Sequence, residues 1–469
     1  MTTENSKLSK AAINMRTALM RFGLGPKRGS KLVAANANSA LEACLKELQN
    51  PQAVQIADTE LMIKSDHHGG AMVPLTNENC AIFATRVLTR NAPAPSEVLL
   101  LERAGRTAKA LEPEIGFVER LVHFWSNHFS VNYGKGFGVT TQAGHLERSV
   151  IRKHVLGKFS DMLKGVSTHV AMIYYLDNDR SVGPTSKVGI ARKIGLNENL
   201  AREILELHTL GVRGGYTQTD VTNFAKIITG WNAAADGMFA YDPDAHEPGN
   251  FTVMGRNFVG NAQTMKQGLD VLDMLARHPA TAQHIAFKLL VHFVTERPTP
   301  RMVNALASVF QKTGGDLKAV AEALLRMPES WTLPLNRLRL PQVWMLSIVR
   351  GAGTSKEAAM TTRNQWGHDV FLSSLNHIIW GRLTPDGYQE EDFRWLNPNA
   401  MRFRRDVAAH LMSYYPDTSS DSGLAIADAL MPGMLSSATR KAIESWPAGP
   451  TQKGAALHTL FMSPEYLRR

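Results

Sequence analysis

A chain of 469 residues, 44% hydrophobic and 20% charged, has the make-up of a globular protein with a sizeable core, ordinarily divided into two or three lobes. No run approaches the roughly 18–20 consecutive apolar residues that a membrane-spanning helix needs, and two cysteines, Cys44 and Cys80, exclude a disulfide framework or a cysteine-rich metal site. The net charge of +10 permits attraction to anionic partners, but the basic residues are dispersed and no zinc-finger or aromatic RNA-binding pattern accompanies them, so solubilising charge is expected rather than nucleic-acid binding.

Lys7, Lys10 and Arg16 precede no continuous apolar segment, so no export signal is expected. The expectation is a cytoplasmic protein, or one exported in the company of a partner. Residues 1–50 read as two helices joined around Gly23–Gly29; RFGLGPKRG is a turn rather than a phosphate loop, since the Walker spacing is absent. His67–His68, beside two glycines, read as surface histidines in a loop. A helix over about 113–129 presents Val118, Leu121, Val122, Trp125 and Phe129 as a core face. His128 borders that face, and Asn127 lies on another stripe with His123. A neutral imidazole suits a metal ligand, a general base or a hydrogen-bonded core residue, and an asparagine suits an oxyanion or an orienting role. A helical pair follows over 140–155 and 160–176, then a connector from Asp177 to Leu196.

The densest polar stretch is NENLAREILELHTLGVRGGYTQTDV, beginning at Asn197. Asn197 is placed to cap a helix that ends before Gly211, and Thr217 with Asp220 forms an acidic capping box for the next. On the first helix Asn199, Arg202, Glu203 and Glu206 share one stripe, with His208 near its end. Beyond Trp231 the periodicity changes. Phe239–Tyr241 and Phe251–Val253 read as the two arms of one hairpin whose tip, DPDAHEPGN, carries His246 and Glu247. In the helices of 264–295, His284, Lys288 and His292 share a face expected to be solvated; a buried Lys288 would need a carboxylate, for which Glu203 or Glu206 is the expected partner. Helices continue to the end of the chain, with breaks at Pro385–Gly387, Pro432–Gly433 and Pro447–Gly449. The expected fold is mainly α, a multi-helix architecture with a small β-hairpin excursion near 238–256. It is read as one unit over 1–469 with lobes at 1–262 and 263–469.

Several of these segments together, ALMRFGLGP, HFWSNHF, NENLAREILELHTLGVRGGYTQTDV with ITGW, HEPGNFTVMG and HPATAQHIAFKLLVHFV, resemble in order the bacterial family called domain of unknown function 1800. The resemblance implies a mainly helical protein of unassigned activity. It also implies a genomic neighbour, domain of unknown function 1501, which is similar to sulfatases and alkaline phosphatases. Three positions depart from the family pattern: Ser126 stands where many relatives have histidine, Glu247 where they have aspartate, and Phe251 near where they have lysine.

Two functions fit. The first is an enzyme whose polar site is assembled from Asn127, His128, Arg202, Glu203, Glu206, His208, His246 and Glu247. In one chemistry His128, Glu203, His208 and His246 hold a divalent metal such as zinc, iron or manganese; in the other a His–Glu pair does metal-free acid–base work. The spacing of Glu203, Glu206 and His208 matches neither HExxH nor the Glu-x-x-His of di-iron bundles. The second is a non-catalytic partner or maturation factor for the sulfatase-like neighbour, its polar residues forming networks that fix the fold. Convergence of Glu203, His208 and His128 beside open space favours the enzyme; sealed and satisfied side chains favour the partner.

Overall fold

The computed structural model describes residues 10–30, 32, 37–86, 93–261, 264–414, 421–447 and 452–469. Helices carry nearly all of it, and the described strands form three two-stranded antiparallel hairpins. One contiguous buried cluster takes side chains from Met15 through to Leu467. A smaller cluster around Leu61, Leu75, Phe83 and Val98 sits under the first hairpin, Met62–Ser65 with Ala71–Pro74. His68 lies in the turn of that hairpin, its ring 3.0 Å from the Ser65 hydroxyl. The helix Phe117–His128 runs through the core: Leu121, Val122, Trp125 and Phe129 are all buried.

The single hairpin expected near 238–256 is two hairpins. Phe239–Tyr241 pairs back with Trp231–Ala233, and Phe251–Val253 pairs forward with Arg256–Phe258. Both strands stand where the periodicity puts them, but their partners differ. Strand periodicity specifies which face is buried and leaves the choice of neighbour to turn geometry and packing. At the forward turn Met254 and Gly255 both take positive φ, 52° and 74°, a close reversal that leaves no room for a longer pairing.

A second departure lies in the Asn197 segment. Asn197 accepts the Asn199 N–H at 2.9 Å, the Thr217–Asp220 capping box forms, and Gly211 takes φ +83°, all as the residues predict. The helix itself, Asn199–Glu203, passes into a π-helical turn over Ile204–His208. The extra residue in that turn rotates everything beyond it relative to a 3.6-residue spacing. His208, at the end of the turn, is buried with Ala201, Ile204 and Leu205.

The centre of the fold is also strongly charged, which apolar periodicity does not announce. Arg152 donates to both Glu119 oxygens (2.8 and 2.6 Å), to Glu147 (2.9 Å) and to the Val54 carbonyl (2.9 Å). Arg106 grips Glu147 from the other side at 2.8 Å, and Arg148 grips Glu102 at 2.8 Å. All of these groups are buried, so each charge requires its partners. Ser126 joins this network: its hydroxyl donates to Glu147 and accepts the Trp380 indole N–H at 3.2 Å.

Candidate functional site

The π-helical turn explains three of the histidines. A helix end leaves backbone carbonyls without partners. Here two imidazoles from other helices supply the missing donors. His128 Nε2 donates to the His208 carbonyl at 3.1 Å, and His284 Nε2 donates to the Leu207 carbonyl at 3.2 Å. Each bond fixes its ring as the Nε2–H tautomer. Burial first, then the nearby Lys288 charge, holds His128 well below the usual imidazole range and His208 down at about 3. These rings are neutral structural groups at any physiological pH. The remaining ring nitrogens, His128 Nδ1 and both of His208, are buried and have no hydrogen-bond partner among the described residues.

His246 and Glu247 do not form an exposed tip. Both are buried, because the two-hairpin arrangement folds residues 242–250 back over the end of the helix Gln218–Ile227. His246 Nδ1 donates to the Thr229 carbonyl at 3.1 Å. The Glu247 carboxylate accepts the Thr185 N–H (2.8 Å) and hydroxyl (3.0 Å), pinning the turn before the short helix Lys187–Arg192. The longer arm of glutamate serves this reach. Near Phe251, a cation is still present: Lys226 Nζ lies 5.5 Å from the centre of its ring. Replacing Glu247 by alanine is expected to free the 183–189 segment, with proteolytic cleavage there rising before any global unfolding; an unchanged digestion pattern would count against the pinning role.

The metal set does not assemble. Among the described residues no three His, Cys, Asp or Glu side chains are grouped to hold a metal ion, and His128, Glu203, His208 and His246 form no such group. His128 and His246 each spend a ring nitrogen on a backbone carbonyl, and His246 belongs to the Thr229 cluster rather than to the π-turn.

Asn127 is engaged with backbone on both sides of its amide. Its amide donates to the Tyr388 carbonyl (2.9 Å) and its oxygen accepts the Tyr388 N–H (2.7 Å), a two-point clamp on the loop 381–390. Tyr175 adds a third fastening by donating to the Leu383 carbonyl at 3.1 Å. The loop delivers Asp386, held by Thr384 (2.5 Å), Gln389 (2.7 Å) and Arg382 (3.4 Å). It also delivers Glu390, which accepts from His292 Nδ1 (2.6 Å) and Arg469 (2.7 Å). The break at Pro385–Gly387 was the only trace of this loop in the sequence.

Glu203 is the carboxyl left over. Arg202 is occupied by Glu198 (2.9 Å), Gln218 (3.0 Å) and Glu206 (3.4 Å), and Glu206 also takes the Tyr216 hydroxyl. Among the described residues nothing forms a hydrogen bond or ion pair with the Glu203 carboxyl group. Partial burial, then the like charges of Glu206 and Asp386 against the opposing Arg202, push it up to about 7. Asp386 moves the other way: burial opposes ionisation, but the Thr384 hydroxyl and Arg382 hold it below its ordinary range. Lys288 forms no ion pair with Glu203 or Glu206; burial brings it down to about 8, against the pull of Glu390 and Asp386. Glu203, Asp386 and Lys288 thus lie around one loop, on three elements distant in sequence, with Tyr175 beside them.

No curated protein and no solved structure matches the chain. A family model described as "Protein of unknown function (DUF1800)" matches residues 17–468, nearly the whole length. With the ordered motifs of the Asn197 segment and the Phe117–His128 helix built into one core, this coverage places the chain in the DUF1800 family.

Proposed function

We propose that the protein is a metal-independent acid–base enzyme in which Glu203 gives and takes the proton and Asp386 is the standing anion opposite it. The observation that carries this is a pair of carboxyl groups, delivered by separate elements, whose surroundings push their proton affinities apart. That separation is the mark of an acid and its anionic counterpart at one site. The carboxylates of Glu206 and Asp386 disfavour an anionic substrate, so a neutral, hydroxyl-rich molecule cleaved at a glycosidic bond is the reading that fits best. Protonated Glu203 donates to the leaving oxygen as the glycosidic bond breaks, Asp386 stabilises the positive charge that develops on the sugar ring, and water then adds to that ring carbon and returns its proton to Glu203.

The test is a panel of neutral nitrophenyl glycosides. Activity should fall as pH rises through about 7, because the acid form of Glu203 is required. Glu203→Gln should lower kcat by about 10²–10⁴-fold. Activity that survives Glu203→Gln sinks the proposal. Independently of substrate, carboxyl ¹³C NMR should show Glu203 titrating near 7 and shifting down in Asp386→Asn, since a like charge has been removed. A Glu203 that titrates in the ordinary carboxylate range would remove the proposal's basis.

A non-catalytic role beside the sulfatase-like domain of unknown function 1501 is supported by a different observation. Among the eight candidate residues, Asn127, His128, His246 and Glu247 are each bonded to backbone or to neighbouring turns, as a binding scaffold requires. That reading predicts a stoichiometric complex when both proteins are co-expressed, undisturbed by Glu203→Gln.

A further inference from the structure

Away from Glu203, a groove of about 1430 Å³ opens where the Arg16 end of the first helix meets the helices Pro398–Tyr414, Ser437–Glu444 and Gln452–Phe461. Its charged lining is mainly cationic, with Arg16, Arg402, Arg405 and Arg468 set against the one acid Glu465, among uncharged hydroxyl and amide side chains. Arg402 and Arg405 share a single acid, Asp406. Among the described residues, the side chains of Arg16 and Arg468 have no hydrogen bond or ion pair, and Arg16 Nε is buried with no partner. The acid lining the groove, Glu465, is spent on the Ser436 N–H (3.0 Å) and the Thr439 hydroxyl (2.8 Å). Burial, opposed by Glu465 and reinforced by Arg468, lowers the proton affinity of Arg16, as expected for a guanidinium without its own counter-ion. The N-terminal turn of Ser437–Glu444, the positive end of that helix, also lines the groove.

Part of the wall is apolar and adaptable: Trp331, Met401, Met434 and Met462 line it. Methionine thioethers conform to varied apolar shapes. Guanidinium groups match the oxygens of phosphate or carboxylate in a fork-like geometry that an ammonium cannot supply. A solvated basic surface would have neither a part-buried guanidinium whose Nε is sealed from solvent without a partner nor methionine and tryptophan side chains beside it. A groove with both has room and chemistry for a charged head and an apolar body together.

We propose that this groove is a binding site for an anionic amphiphile, a phosphate monoester carried on an apolar chain, with Arg16 and Arg468 on the phosphate and the methionine wall along the chain. It stands apart from the Glu203 site and does not rest on the acid–base reading. Titration calorimetry on the full-length protein, with dodecyl phosphate below its micelle concentration, tests it. One molecule should bind per chain, at least about tenfold more tightly than inorganic phosphate or the neutral dodecyl maltoside, and Arg468→Gln and Arg16→Gln should each weaken it by about tenfold. Glu203→Gln should bind as the parent does. Arg468 is part-exposed, so its variant should melt with the parent; if Arg16→Gln fails to fold, Arg468→Gln decides. Equal binding of dodecyl maltoside, equal binding of inorganic phosphate, or undiminished binding in Arg468→Gln would each overturn the proposal. So would a poly-glutamate peptide binding where dodecyl phosphate does not, which would mark the groove as a protein-docking surface.

Discussion

Arg152→Met is expected to lower the free energy of unfolding by about 3–5 kcal/mol, the range for breaking a buried ion pair by removing one partner. Arg152 is the shared donor of the central network, bonded to Glu119, Glu147 and the Val54 carbonyl. Methionine fills much of the same space but provides no donor. Glu147 keeps Arg106 at 2.8 Å, while among the described residues Glu119 is left with only His123, 3.7 Å away and held neutral by burial and the surrounding arginines. The loss therefore falls on one stranded carboxylate. The double variant Arg152→Met with Glu119→Met should recover much of it, because removing both partners leaves no unpaired charge. Urea unfolding of the three proteins measures this; a single variant as stable as the parent would show that the network contributes nothing.

The same network sets a pH dependence. Burial disfavours the Glu147 carboxylate, but Arg106 and Arg152 outweigh it and hold the group below its ordinary range. Its contribution is fully present above the unfolded value of about 4.5 and is lost as pH falls through the lower folded value. Glu203 has the opposite sign. Its folded value is raised to about 7, so the parent loses stability relative to Glu203→Gln as pH rises from about 4.5 through 7. Melting curves of the two proteins should converge at pH 4 and separate at pH 8, with the variant the more stable. Separation in the reverse order would contradict the placement of Glu203 among like charges.

The second large effect is expected at Gly387→Ala. Gly387 takes φ +75°, and a Cβ there would lie 2.3 Å from the Asn127 carbonyl oxygen, which is backbone and cannot swing aside. The left-handed conformation costs a non-glycine residue about 1–2 kcal/mol, and forced overpacking adds about 1–3 kcal/mol. A total destabilisation of about 2–5 kcal/mol follows if the loop keeps its position. If instead it shifts, the Asn127–Tyr388 clamp breaks and Asp386 moves away from Glu203. The two outcomes are read separately, by the melting temperature and by the Glu203 carboxyl titration, which should fall in the second case. A variant with an unchanged melting temperature and an unchanged Glu203 titration would show that this loop does not position the site.

Much of the fold was legible in the residues because its causes are local. The capping box of Thr217 and Asp220, the left-handed Gly211, the core face of Phe117–His128 and the mainly helical class each follow from spacing within a few residues. Glu203 was legible as a candidate for the same reason: it shares a stripe with Arg202 and Glu206. What only the tertiary structure decided was each group's partner. His128 and His208 lie 80 positions apart, and the bond between them depends on a π-helical turn that no apolar period reveals. Strands 239–241 and 251–253 carry the alternation of strands but not the identity of their neighbours. Asp386 was invisible as a site residue because its role comes from a loop held by Asn127 and Tyr175, and Lys288 feels the charges of Glu390 and Asp386 through space rather than pairing with Glu203 or Glu206. Backbone propensity acts over one or two turns and is written in the sequence; desolvation and charge pairing act through space, and they decide which carboxyl is left without a partner.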